Sequence, residues 1–257
     1  MTYCLGMLSR GGAVFLSDSR TSAGMDNITM RSKMRIFEKP GERVVCILSS
    51  GNLSLTQATL AMIDEDLMLG DGDPRKKTIM NRQTLYETVR YIGNKVRAVE
   101  KRDRAALEAD GFSFNINLII GGQIAGMAPE VHLIYPQGNS IHATRESPFL
   151  QIGETKYGKP ILDRGFNFET PLCEAVKFGL ISLDATMKSN VSVGPPIDIL
   201  CYETDSLQAN KRGHLEKDDP YLEEISQRWQ DGIIKLVNDL PPAELFGKPV
   251  LGFASAA

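Results

Sequence analysis

Thr2 follows Met1, and a methionine before a small residue is normally removed. Removal leaves the threonine with a hydroxyl and a free α-amino group. The hydroxyl is a poor nucleophile at neutral pH and needs a proton acceptor beside it. A free α-amino group, with a reference pKa of about 7.7–8.0, lies close to the working pH and can be that acceptor. One terminal residue thus holds both the nucleophile and the base for attack on a carbonyl. The same chemistry calls for a nearby cation, to favour the neutral amine and the developing alkoxide, and for backbone donors to hold an oxyanion. A Met-Thr start alone carries little weight, because many chains share it. With Met1 in place the amine is an amide and cannot act as base.

The elements that must position these groups are legible as periods. Residues 2–8 and 13–16 read as strands joined at Gly11-Gly12, a hairpin signal. A polar loop is expected after Asp18. Residues 34–37 and 44–48 read as two further strands around Pro40-Gly41, and the second, continuously apolar, reads as covered on both faces. Leu53, Leu60, Ile63 and Leu67 share one helical face. Leu85, Val89, Ile92, Val96 and Val99 share another. Between the two helices, Gly70-Asp71-Gly72-Asp73-Pro74 reads as a connector, since most ligands of a calcium loop are missing.

The second half repeats the order. Strands are expected at 116–120, 131–135, 140–143 and 149–152, and a short helix over 156–163. A longer helix carries Val176, Leu180, Leu183 and Met187. A strand follows at 197–202, and a last helix places Leu222, Ile225, Trp229, Ile233, Leu236 and Leu240 on one face. Segregated blocks of strands and helices predict an α+β fold of antiparallel sheets with helices layered outside. The economical reading of all 257 residues is a single domain, with a core over 2–202, a helical region over 203–240 and an apolar tail over 241–257.

Ser17-Asp18-Ser19-Arg20-Thr21, with Gly24 following, resembles the Asp-x-Arg-x-Thr segment of proteasome β subunits and of the bacterial protease HslV. Lys33-Met34-Arg35-Ile36-Phe37 resembles the lysine-bearing strand start of that family, and Ser49-Ser50-Gly51-Asn52 its oxyanion turn. Tyr157-Gly158 with Ile161-Leu162-Asp163 resembles its Tyr-Gly-x-x-x-Asp helix, and 184–194 lies where it carries its last active-site loop. The Met-Thr-Tyr-Cys start and the Asp184-Ala185-Thr186-Met187 stretch with Ser189-Asn190 are most similar to the Anbu branch, the ancestral beta subunits. The match runs from Thr2 to about Tyr202. Each motif is loose, but their order and context together are specific.

The resemblance implies a four-layer αββα sandwich and a threonine-type peptidase with no cofactor. It also implies roles. Thr2 is the nucleophile, Lys33 lowers the pKa of its amine and hydroxyl, Asp18 holds Lys33, and the Gly51 N–H donates to the oxyanion. Asp184 and Ser189 hydrogen-bond around the terminal amine. Two departures stand out: Gly153-Glu154-Thr155 replaces the usual Gly-Ser-Gly, and the gap from Asp184 to Ser189 is longer than Asp-x-x-Ser. Taken singly, Asp18 reads as a turn cap, Lys33 as a solvated lysine and Gly51 as a tight turn. For Glu154, Asp184 and Ser189 the structural and functional readings are evenly open. A small-molecule amidase and a non-catalytic assembly subunit are the alternatives, and the N-terminal helix of α-type subunits has no room ahead of Thr2.

The family implies a peptide or protein substrate and a homo-oligomer forming a ring or ring-like stack, and leaves any ATPase partner undefined. A formal net charge of −3 supplies no basic field for nucleic acid. No apolar run reaches membrane-spanning length and no secretory signal opens the chain, so a cytoplasmic location is expected. Cys4, Cys46, Cys173 and Cys201 sit apart in apolar segments and read as buried thiols. With three scattered histidines, they define no metal site.

Overall fold

The computed structural model describes residues 2–22, 28–70, 73, 75–241, 244–245 and 248–249. Residues 1–219 form one compact unit and residues 220–257 another. The first unit holds two five-stranded antiparallel sheets. One has the order β10-β1-β2-β11-β12, from β1 (Tyr3–Ser9), β2 (Gly12–Asp18), β10 (Phe149–Gly153), β11 (Ile197–Glu203) and β12 (Arg212–Leu215). The other has the order β5-β6-β7-β8-β9, from β5 (Met34–Lys39), β6 (Arg43–Gly51), β7 (Ile116–Ile124), β8 (Glu130–Ile134) and β9 (Ser140–His142). Helices α1 (Leu53–Gly70) and α2 (Leu85–Ala109) cover the outer face of the second sheet. Helices α3 (Lys159–Gly165) and α4 (Leu172–Ser189) lie on the first unit's other flank, with α4 packed on β1, β2 and β11.

The layering follows from period-two burial in the central strands. In β6, Val44, Cys46 and Leu48 enter the core between the sheets, while Val45 and Ile47 enter the core under α1 and α2. That double burial is why the run is apolar throughout. In β2, Ala13 and Phe15 face the other sheet. Leu16 points the opposite way, where its side chain lies so close to Gly179 of α4 that a Cβ there would come within 2.5 Å of it. The result is an αββα sandwich.

Four expectations are corrected. The polar segment after Asp18 is no simple loop: β3 (Arg20–Ser22) and β4 (Ile28–Met30) pair antiparallel, with 23–27 outside the described residues. Strand β12 went unforeseen, because Arg-Gly-His-Leu has no alternating apolar signature and takes its form from pairing with β11. The short helix begins at Lys159 rather than Lys156, after a turn through Gly158. Cys4 and Cys46 are buried, but Cys173 is exposed and Cys201 half-buried. Cys173 lies in the first turn of α4, on an exposed part of the helix.

The second unit contains α5 (Pro220–Asp239) and a two-residue antiparallel pair, β13 (Glu244–Leu245) with β14 (Lys248–Pro249). The expected connector residues Asp71, Gly72 and Pro74, and the tail residues Pro242, Phe246, Val250, Leu251 and Phe253, lie outside the described residues.

Candidate active site

Thr2 stands immediately before β1, the strand between β10 and β2 in its sheet. Its carbonyl accepts from the Glu154 N–H at 2.7 Å, extending the β1–β10 pairing by one bond. Gly153 permits that closure. Its φ of +87° suits glycine, and a Cβ would lie 1.9 Å from the Thr2 carbonyl oxygen. The half-buried Thr2 thus has a fixed backbone at the end of the strand.

One residue along, the Tyr3 N–H donates to Asp18 Oδ1 at 2.9 Å. Asp18, the last residue of β2, is fully buried. The same Oδ1 accepts from Lys33 Nζ at 2.7 Å, and the Gly194 N–H reaches Oδ2 at 3.4 Å. Burial pushes the Asp18 carboxyl up from its usual range, while the Lys33 ammonium and the two N–H groups pull it back. Lys33 Nζ donates again to the Arg20 carbonyl at 2.7 Å. A lysine just before a half-buried strand start is therefore drawn inward, its side chain only 9% exposed.

Thr2, Lys33 and Gly51 line one cleft of about 240 Å³, together with Arg31, Arg35, Ser49, Ser50 and residues of α1. Gly51 ends β6 at φ +107°, and any side chain would strike the Asn115 carbonyl. Of the six residues singled out from the sequence, Thr2, Lys33 and Gly51 meet at this cleft, and Asp18 lies beneath, bonded to Lys33. Asp184 is half-buried on α4 and Ser189 is exposed at that helix's last position. Among the described residues, no hydrogen bond ties either to Thr2, Asp18 or Lys33.

Several supporting contacts had gone unforeseen. The Tyr3 hydroxyl bonds Ser182 Oγ at 2.6 Å and accepts from Gln151 Nε2, tying β1 to α4 and β10, and burial pushes its pKa up to about 12. Buried Glu154 accepts from Asn190 Nδ2 at 3.2 Å, so the carboxylate that replaces the family's serine is linked to the end of α4. Arg20 donates to the Val191 carbonyl at 2.7 Å, holding the loop that carries Gly194. Beside the cleft, Asp198 accepts from Ser19 at 2.9 Å, from Ser32 at 2.7 Å and from His214 Nδ1 at 2.6 Å. The Asp198 carboxylate holds the His214 pKa above the ordinary histidine value.

A threonine heading the first strand of a four-layer αββα sandwich, above a buried aspartate–lysine pair, defines the scaffold of the proteasome-like N-terminal-nucleophile hydrolases. No protein-family model and no curated protein matches the chain, whereas solved structures do. A mutant Anbu from Hyphomicrobium sp. strain MC1 is 39% identical over 95% of this chain and 100% of its own, at a TM-score of 0.88. Anbu (ancestral beta-subunit) from Yersinia bercovieri is 40% identical over 95% and 99%, at 0.87. A structure of the helical assembly of the Anbu complex from Pseudomonas aeruginosa is 38% identical over 94% and 98%, also at 0.87. The chain belongs to the Anbu family.

Proposed function

We propose that this protein is a threonine-type amide hydrolase, acting on peptides or proteins from within a homo-oligomer, with Thr2 as nucleophile once Met1 is removed. The observation that carries this reading is the single cleft lined by Thr2, Lys33 and Gly51, with the Lys33 ammonium seated on buried Asp18. Thr2 Oγ adds to the carbonyl carbon and gives its proton to the free α-amine. The C–N bond then breaks, and the leaving amine takes that proton. Water cleaves the resulting ester and restores the hydroxyl. Lys33 disfavours a charged α-amine and stabilises the alkoxide, Asp18 holds Lys33 in place, and the Gly51 N–H donates to the oxyanion.

The assembly part rests on different support. Ile233, Ile234, Leu236, Val237 and Leu240 are exposed on and just after α5, an apolar face that is costly to leave in water. The Pseudomonas aeruginosa relative is described as a helical assembly. A second copy of this chain is the partner proposed here.

Mass spectrometry tests the chemical claim. The purified chain should lack Met1, and a β-lactone should add once, on the N-terminal peptide at Thr2. Retention of Met1, or a label elsewhere, rejects the mechanism. Sedimentation tests the assembly: a monomer at micromolar concentration would remove that part of the proposal.

A further inference from the structure

The cleft beside Thr2 has an uneven charge. Its lining includes three cations, Arg31, Lys33 and Arg35, and no aspartate or glutamate. Two of the three are already neutralised. Lys33 is paired with Asp18 at 2.7 Å. Arg35 is paired with Asp64 through both terminal nitrogens, and its guanidinium also lies 4.9 Å from the centre of the Phe37 ring.

Arg31 differs. Among the described residues it meets no carboxylate. With the Gln57 amide oxygen turned toward it, its two terminal nitrogens donate to that oxygen at 2.8 and 3.1 Å. Gln57 lies on α1, on the cleft wall with Leu53, Thr56 and Leu60. A neutral amide oxygen is a weaker partner for a guanidinium than a carboxylate, which can take both nitrogens in parallel. The remaining wall mixes the neutral polar Ser32, Ser49, Ser50 and Thr56 with the apolar Met34, Ile47, Leu53 and Leu60, and the apolar part suits a short methylene stem.

We infer that the cleft is a specificity pocket for an acidic side chain, with Arg31 binding its carboxylate. The side chain belongs to the residue whose carbonyl Thr2 attacks, so this inference rests on the hydrolase reading above. Glutamate fits best: its two methylenes lie along Met34, Leu53 and Leu60 while its carboxylate displaces the Gln57 oxygen from Arg31. A lysine in the same place meets the Arg31 guanidinium, and no aspartate or glutamate lines the cleft to receive it.

Three peptides that differ only in Glu, Gln or Lys at that position, each with a fluorogenic leaving amine, test the inference. Rates are normalised to the sites titrated by a small β-lactone that lacks this side chain. Where turnover is too slow to follow, the peptides are compared by how well each protects Thr2 from the lactone. The Glu peptide should exceed the Gln peptide by about tenfold in kcat/KM or in protection, the scale of one charge-assisted bond, with Lys weakest. Because Arg31 is exposed, added salt should narrow the gap. Arg31→Glu should reverse the order, placing Lys above Glu. Equal handling of the three peptides, or a Glu preference that survives Arg31→Glu, overturns the inference. If the lactone labels Thr2 under those outcomes, the hydrolase reading stands and only the pocket assignment falls. If it fails to label Thr2, both fall.

Discussion

The Thr2→Ala variant is expected to lose all covalent labelling by an epoxyketone or β-lactone, and Thr2→Ser to keep part of it. The hydroxyl is the only atom that forms the new bond, and removing a nucleophile costs about four to six orders of magnitude in comparable sites. The fold should not notice. Thr2 is held through its carbonyl bond to Glu154, and alanine keeps that bond. Its half-buried side chain adds little packing, so the melting temperature should stay within the small range of peripheral substitutions. A labelled alanine variant would remove Thr2 from the mechanism.

The second large effect belongs to Lys33, and here chemistry and stability must be separated. Lys33→Ala should slow acylation by about a hundredfold or more, the scale of losing one preorganised electrostatic group. It also leaves Asp18 as a buried carboxylate without its cation, which costs about 3–5 kcal/mol in comparable pairs. The variant should therefore melt earlier as well as react slowly. Joining Lys33→Met to Asp18→Asn removes both charges and should recover much of the melting temperature without recovering the rate. Lys33→Arg should rescue neither, since a planar guanidinium cannot fill the seat between Asp18 Oδ1 and the Arg20 carbonyl. Wild-type acylation by Lys33→Ala would sink the proposed site. A double variant with a restored rate would show that the Lys33 substitution acted through folding alone.

The scaffold was legible where burial is written into a local period. The unbroken apolar run of β6 announced two covered faces, and the spacing from Leu85 to Val99 announced α2. What escaped was structure imposed from outside the segment. β12 is an edge strand whose Arg-Gly-His-Leu becomes extended because β11 offers it a ladder. The histidines read as scattered, yet Asp198 and His214 stand opposite each other across β11 and β12, a cross-strand pairing that spacing along the chain hides. Cys173 misled because apolar neighbours in sequence are not neighbours on a helix face. At the site, the order of motifs around Thr2, Asp18, Lys33 and Gly51 pointed to one place. The Glu154–Asn190 bond and the Arg20 contact with Val191 join segments far apart in the chain, and no local pattern carries such pairs.

Asp18 also bears on how the chain matures. Its carboxylate is gripped by the N–H of Tyr3, the ammonium of Lys33 and the N–H of Gly194. The last of these lies 176 residues further along. During synthesis, the first three-quarters of the polypeptide can leave the ribosome before that clasp can close. Thr2 is made first, but its electrostatic setting is completed only when the stretch leading into β11 docks. A nascent chain with a bared terminal threonine would thus remain a weak reagent toward its neighbours in the crowded cell. Competence would come late, as a property of the finished sandwich.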